Sequence, residues 1–305
     1  MKKIYCLFIL LGLFLTGNVP TAESRDDGIF RIGVSSSVFD EINQNDAAAA
    51  LKAWAATVGR EQNFDGLLDV VLLTSTVEEL RSELDAKRLD GLSITVAEYL
   101  DLNIQVEQTY IPVTEQGPEV SYAIIVGKDA EMPNVENLAK SRLVMGKSGR
   151  MNLARPWLQS FIAERAGGFE MASNIDLMGV ENPSKAILQV FFNQADGALV
   201  VEEAFDLACE LNPQLRERLK VLATSPKFVI SFFIFPPGKN GERNTEKLEK
   251  AIRDLHTTPG GRQVLNVFKS NRVAKYPVSV LENTIQFLEN YQSQMNGDSI
   301  PEIRP

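Results

Sequence analysis

Hydroxyl side chains cluster at two points along the chain, Ser35, Ser36 and Ser37 in a row, then Ser93 with Thr95. A third group, Lys147, Ser148, Gly149, Arg150 and Asn152, sets two cations beside a hydroxyl, a glycine and an amide. Hydroxyls donate hydrogen bonds without bulk, and an ammonium or guanidinium neutralises negative charge. Such groups suit a small oxyanion, above all at a helix N-terminus with its unpaired N–H groups and partial positive charge. Glu202 and Glu203 open a further helical pattern, where they suit either the helix dipole or an amine on a ligand. Tyr122 falls on an apolar stretch between these groups and either lines a cleft or packs under one. Each group also has a plainer use. The three serines suit a polar turn, Ser93 and Thr95 suit a cap on the following helix, and Lys147 suits open solvent.

Other chemistries find no residues. The sequence holds no His/Cys cluster at metal-ligand spacing, no serine elbow with triad partners and no glycine-rich nucleotide loop. The single histidine, His256, stands at a helix end before Thr257-Thr258-Pro259, where it suits a C-terminal cap. Cys209 lies in a helical apolar pattern with Phe205, Leu207, Ala208 and Leu211 and reads as a small buried hydrophobe. The expectation is a binder with no catalytic residue, metal or cofactor. A net charge of −9 without a basic run argues against nucleic acid or an anionic membrane surface as partner.

The elements that must position these groups alternate. Phe30 to Val34 reads as a strand that runs into the serines, Asp46 precedes a helix from Ala47 to about Arg60, and Leu68 to Leu73 is a buried-type strand. Thr76-Val77-Glu78-Glu79 has the spacing of a capping box for a helix to about Lys87. Leu89 to Ser93 is a short strand, with a short helix from Val96 to Leu100. The β-α alternation predicts a mainly parallel sheet covered by helices. Gln105 to Pro112 and Val120 to Val126 read as two strands. A second series then begins: a helix at Val135 to Ala139, a strand at Leu143 to Gly146, a helix from about Asn152 to Ala166, and a strand at Ile175 to Met178. A helix at Ser184 to Phe192, a strand at Gly197 to Val200, a helix from Glu202 to Leu211 and a strand at Lys220 to Ala223 complete it. Phe228 to Phe235 is an apolar strand, and only helices are expected after it, near 245–256, 260–269 and 278–294.

Two α/β lobes follow from the two series. Lobe 1 is expected to be discontinuous, 25–121 with 229–296, lobe 2 to span 122–228, and 297–305 to form a polar tail. The segment 1–24 has Lys2 and Lys3, an apolar run from Ile4 to Leu15, and small or polar residues to Ser24. Such a run is too short to span a bilayer, which takes about 20 residues, and reads as a cleaved export signal with its cut after Ser24. Without it the chain keeps one cysteine, so no internal disulfide is expected, and no stretch remains that would hold it stably in a membrane.

Phe30-Arg31-Ile32-Gly33-Val34-Ser35, and Leu89-Asp90-Gly91-Leu92 followed by Ala97-Glu98-Tyr99-Leu100, resemble the periplasmic phosphate/phosphonate-type substrate-binding proteins of ABC transporters. Gly127-Lys128-Asp129 with Val135-Glu136-Asn137-Leu138, the Lys147-Ser148-Gly149 loop and Asp196-Gly197-Ala198-Leu199-Val200 extend the likeness over most of residues 29 to 270. The resemblance implies a two-lobed, type 2 periplasmic binding fold, with two crossing strands and a ligand held in the cleft. Ligands of open α/β sheets bind beyond the C-terminal strand ends, which is where Ser35, Ser36, Ser37, Ser93, Thr95, Tyr122, Lys147, Ser148, Gly149, Arg150, Asn152 and Glu202 are expected, at or near a small, anionic ligand. The resemblance further implies a periplasmic monomer whose lobes close around the ligand and present it to an ABC permease. A ligand-sensing partner of a membrane receptor is the alternative, and an exported enzyme a more distant one. The chain departs from the family where Ser36 replaces a proline and where the third loop has one serine and two cations.

Overall fold

The computed structural model describes residues 29–39, 44–61, 67–74, 76–129, 138, 140–147, 150–166, 168–237 and 242–297. The expected export signal, the helix expected at 135–139 apart from Leu138, Ser148, Gly149 and the tail beyond Gly297 lie outside the described residues. β1 (Ile29–Ser35) runs into a 3₁₀ turn at Ser36–Phe39, followed by α1 (Gln44–Glu61), β2 (Leu67–Leu73), α2 (Val77–Asp85), β3 (Gly91–Thr95) and α3 (Val96–Leu102). Next come β4 (Gln108–Val113), β5 (Tyr122–Gly127), β6 (Leu143–Gly146), α4 (Ala154–Ala166), α5 (Phe169–Ser173) and β7 (Leu177–Val180). α6 (Pro183–Phe191), β8 (Gly197–Val201), α7 (Glu202–Leu211), α8 (Pro213–Arg218) and β9 (Leu219–Thr224) complete the second series. The chain returns through β10 (Ser231–Ile234), α9 (Glu242–Arg253), α10 (Pro259–Val267), β11 (Arg272–Pro277) and α11 (Glu282–Asn296). No helix among the described residues is long and apolar enough to cross a membrane.

Two sheets result, in the orders β11-β4-β10-β3-β1-β2 and β7-β6-β8-β5-β9. Both are mixed, not mainly parallel as expected. The parallel ladders are β2-β1-β3 in one lobe and β7-β6-β8 in the other. Strands that arrive from a crossing, β10 and β5, run antiparallel to β3 and β8, which gives each sheet its second direction. β11 had no expected counterpart. Its residues Arg-Val-Ala-Lys-Tyr-Pro put one buried side chain, Val273, against the sheet, and its antiparallel register with β4 from Arg272↔Val113 to Pro277↔Gln108 comes from the tertiary fold.

Local chemistry sets most boundaries. α1 buries Ala47, Ala50, Leu51, Trp54, Ala55 and Val58, the apolar stripe that its helical spacing requires. Asn182, Asn212 and Thr258 each accept a backbone N–H at the start of α6, α8 and α10, and a proline follows each at the first helical position. Thr76 accepts from the Glu79 N–H at 3.4 Å, but Glu79 reaches back to the Thr74 N–H at 2.8 Å, so the box expected at α2 is only half formed.

The same device opens the central strand of both lobes. Asp90 accepts the Arg31 N–H at 2.8 Å, and Asp196 accepts the Arg142 N–H at 2.8 Å, each carboxylate standing just before a Gly that begins β3 or β8. Both glycines are needed for space. A Cβ on Gly91 would stand 2.3 Å from the Phe233 ring, and one on Gly197 would stand 2.9 Å from Leu143.

The lobes are joined by two segments that lie side by side. Val120 and Phe228 exchange backbone hydrogen bonds of 2.8 and 2.9 Å. One step on, the Tyr122 N–H donates to Ser225 Oγ and the Ser225 N–H donates to the Tyr122 carbonyl, both at 2.8 Å. α11 backs this joint. Thr284 Oγ1 accepts the Val229 N–H at 2.9 Å, Phe287 packs on Phe228 with ring centroids 4.7 Å apart, and the Tyr291 hydroxyl donates to Gln159 of α4 at 2.6 Å. A single apolar cluster therefore runs from Leu92 and Ile94 through Val120, Tyr122 and Phe228 to Trp157. Fully burying each such side chain contributes roughly 1.5–3 kcal/mol.

Candidate functional site

β1 and β3 are parallel neighbours with Val34 opposite Ser93, so the chain leaves both strands at the same sheet edge. Ser35 ends β1 and is fully buried, while Thr95 ends β3 and caps α3. Their side chains meet on Glu98. Thr95 donates its N–H at 2.8 Å and its hydroxyl at 2.9 Å to Oε2 of Glu98, and the Glu98 N–H donates to Thr95 Oγ1 at 3.3 Å. This is a complete capping box. The hydroxyls of Ser35 and Ser37 both donate to the other carboxylate oxygen, Oε1, and stand 2.8 Å from each other. Three of the expected hydroxyls are thus gathered around one buried carboxylate. Glu98 is not among the site residues that the sequence predicts. The Thr95-x-x-Glu98 spacing was the signal that would have singled it out.

Ser36 is half-buried in the 3₁₀ turn. Ser93 lies lower on β3, in a largely apolar cavity of about 70 Å³ with Trp54, Tyr110, Phe233 and Leu255. It does not join the hydroxyls at the strand ends.

The second lobe contributes the loop after β6. Gly146 ends that strand against the start of α6, where a Cβ would stand 2.5 Å from Pro183 Cα. Lys147 donates its N–H to the Val180 carbonyl at 2.8 Å, and its exposed side chain lies over Gly179 of the edge strand β7. Arg150 turns the other way. Its guanidinium pairs with Glu203 at 2.8 Å and donates to the Glu119 carbonyl at 3.4 Å. Its carbonyl accepts the Tyr122 hydroxyl at 2.9 Å. Tyr122 is wholly buried beneath the loop, between Trp157 and Phe228, and burial holds its hydroxyl well above the usual phenol range. Asn152 reaches the first lobe directly, donating from Nδ2 to the Ser37 carbonyl at 3.0 Å. Glu202 opens α7, accepts the Ser121 hydroxyl, and donates its own N–H to the Ser121 carbonyl at 2.9 Å.

The structure thus brings Ser35, Ser37 and Thr95 to one face of the cleft, with Asn152 joined to them from the other. Arg150 and Val38 line a cavity of about 40 Å³ with Ile230 and Ser231, room for a few water-sized groups at roughly 10–15 Å³ each. Beside it opens a groove of about 710 Å³ lined by Arg150, Glu119, Glu202, Glu203 and Lys269 among others. Lys147 and Ser93 stand apart from this assembly. Among the described residues no three His, Cys, Asp or Glu side chains converge as a metal site. Cys209 sits in the second lobe's core with its thiol pKa raised by burial, whereas His256 donates from Nδ1 to the Arg253 carbonyl at 3.0 Å on the first lobe.

A family model described as the periplasmic substrate-binding protein of phosphonate ABC transporters matches residues 42–276. Among solved structures, a binding protein component of an ABC phosphonate transporter from Pseudomonas aeruginosa is 13% identical with a TM-score of 0.52, covering 90% of both chains. A Xanthomonas citri protein solved with a chloride ion is 11% identical, TM-score 0.53, covering 88% of this chain and 99% of its own. PhnD1 from Prochlorococcus marinus, in complex with methylphosphonate, is 15% identical, TM-score 0.50, covering 87% of this chain and 98% of its own. At these identities the structural likeness bears on the two-lobed α/β fold alone. No curated protein matches the chain in sequence.

Proposed function

As the chain belongs to the periplasmic substrate-binding proteins of phosphonate ABC transporters, we propose that it captures a small phosphonate- or phosphate-like oxyanion between its lobes and delivers it to an ABC permease. The family is one of solute binders in the periplasm, not of enzymes. Residues 1–24 deliver the chain there and are removed after Ser24, and the product works as a monomer.

One observation carries the ligand reading: hydroxyl-bearing strand ends of the first lobe meet Asn152 of the second, 3.0 Å from the Ser37 carbonyl oxygen, and Arg150 lines a cavity with Val38 of the adjoining turn. An oxyanion in this seam takes hydroxyl and backbone donors from one side and a guanidinium from the other. Each lobe alone offers half the donors, so the ligand favours the closed arrangement, which is hinge closure driven by differential affinity.

The test is calorimetric titration with methylphosphonate, phosphate, sulfate, acetate and glycine, backed by thermal shift. Methylphosphonate or phosphate is expected to bind and to raise the melting temperature by mass action, roughly 2.7 kcal/mol of added stability at a hundredfold excess over Kd. Arg150→Ala should weaken binding about tenfold or more, since a hydrogen bond to a charged group contributes about 1.5–3 kcal/mol. Binding that this substitution leaves untouched would move the ligand elsewhere.

A further inference from the structure

The capping box of α3 needs only Thr95 and Glu98, yet four donors converge on this carboxylate. Oε2 takes the Thr95 N–H and hydroxyl at 2.8 and 2.9 Å, and Oε1 takes the hydroxyls of Ser35, at the end of β1, and Ser37, in the 3₁₀ turn after it, neither of which has a part in capping α3. Glu98 and Ser35 are both buried, so the carboxylate relies on these donors where water is scarce. Two donors on each carboxylate oxygen, three hydroxyls and one backbone N–H in all, is the arrangement that a bound oxyanion would require. Asn152 fixes the Ser37 carbonyl from the other lobe, so this cage stands at the seam where the lobes meet.

We propose that Glu98 is a resident substitute for the ligand, its carboxylate holding the first lobe's donor cage until an incoming oxyanion displaces it. The inference rests on the capture of an oxyanion argued above. The carboxylate and the ligand compete for the same Ser35, Ser37 and Thr95 donors, and like charges cannot share them at contact distance. Ligand entry therefore turns Glu98 out of the cage and frees the Thr95 N–H for the ligand. Apparent affinity is lowered by the fraction of molecules in which the cage is already filled. The competition also sets a floor on selectivity, because an anion that offers fewer or weaker acceptors than a carboxylate does not displace Glu98.

The test is titration of the purified chain, Glu98→Ala and Glu98→Gln with methylphosphonate and inorganic phosphate, with melting curves to establish folding. If the cage is free a tenth of the time, Glu98→Ala gains about tenfold in affinity. Glu98→Gln keeps the shape of the box and still fills part of the cage, so it gains less but in the same direction. It also serves as the deciding variant should Glu98→Ala fail to fold. An unsubstituted chain that binds, with folded variants that bind equally or more weakly, overturns the proposal and makes Glu98 a brace or a direct ligand contact. Silence of all three chains toward both anions is a different pattern, and removes the capture reading together with this one.

Discussion

Asp196 shows how one side chain at the head of a strand ties a lobe together. Its carboxylate accepts both the Arg142 N–H and the Arg142 guanidinium, the latter at 2.8 Å, and the Arg142 hydrogen bond holds its pKa below the usual carboxylate range. A carboxyl depressed in the folded state contributes stability that is fully present above its unfolded value and is lost as pH falls through the folded one. The stabilising difference between the unsubstituted chain and Asp196→Asn should therefore hold at neutral pH and shrink below about pH 4. Both side chains are more than a third exposed, so solvent screening keeps the effect to a few tenths of a kcal/mol, within the ~0.2–1 kcal/mol of surface pairs. Melting temperatures measured from pH 7 to pH 3 would check it, and a gap that widens toward acid would contradict the sign. Asp90 repeats the backbone contact to Arg31 in the other lobe.

At the scale of elements, the loop after β6 takes its course from packing around Gly146. With Pro183 Cα 2.5 Å from where a Cβ would stand, backbone meets backbone and no flexible side chain can yield. Gly146→Ala should cost about 1–3 kcal/mol by overpacking and displace the segment that carries Arg150. Denaturant unfolding and a titration together check this, and an unchanged midpoint would show that β6 and α6 can part without loss. Legibility in the sequence follows the same division. β1, β6, β8 and α1 are legible because burial imposes an apolar run on the strands and a helical apolar stripe on α1. β11 is not, because an edge strand reading Arg-Val-Ala-Lys-Tyr-Pro buries only Val273 and takes its form from β4. α8 leaves no apolar period either, being a turn and a half of Pro-Gln-Leu-Arg-Glu-Arg with one buried residue, Leu215. β3 and β7 each lie two residues later than expected, a shift that keeps the faces and moves only the ends. For the candidate site, residue type alone singles out Ser35, Ser37, Thr95, Arg150 and Asn152. The distant pairing of Glu98 with Ser35 and Ser37 depends on two strands becoming neighbours, which no local pattern encodes.

For the whole molecule, the polar contact from Asn152 to Ser37 spans the cleft, while α11 grips both lobes from behind through Val229 and Gln159. A neutral hydrogen bond of this kind contributes about 0.5–1.5 kcal/mol, enough to shift an open–closed balance several-fold. Asn152→Ala should therefore enlarge the radius of gyration seen by small-angle X-ray scattering in the absence of ligand, and added methylphosphonate should reverse part of the change. Identical scattering from both chains would mean that the back helix alone sets the resting angle. The joint itself limits what that angle can do. Because the segments at Val120–Tyr122 and Ser225–Phe228 are stitched by four hydrogen bonds, they cannot slide past one another as independent tethers would. They flex together like a leaf spring, which leaves the lobes one soft coordinate and stiff resistance to shear or twist. On the proposed capture of an oxyanion, a docking partner that reads the distance between the two lobe tips would read a one-dimensional gauge, and cargo in the seam would be the weight that moves its needle.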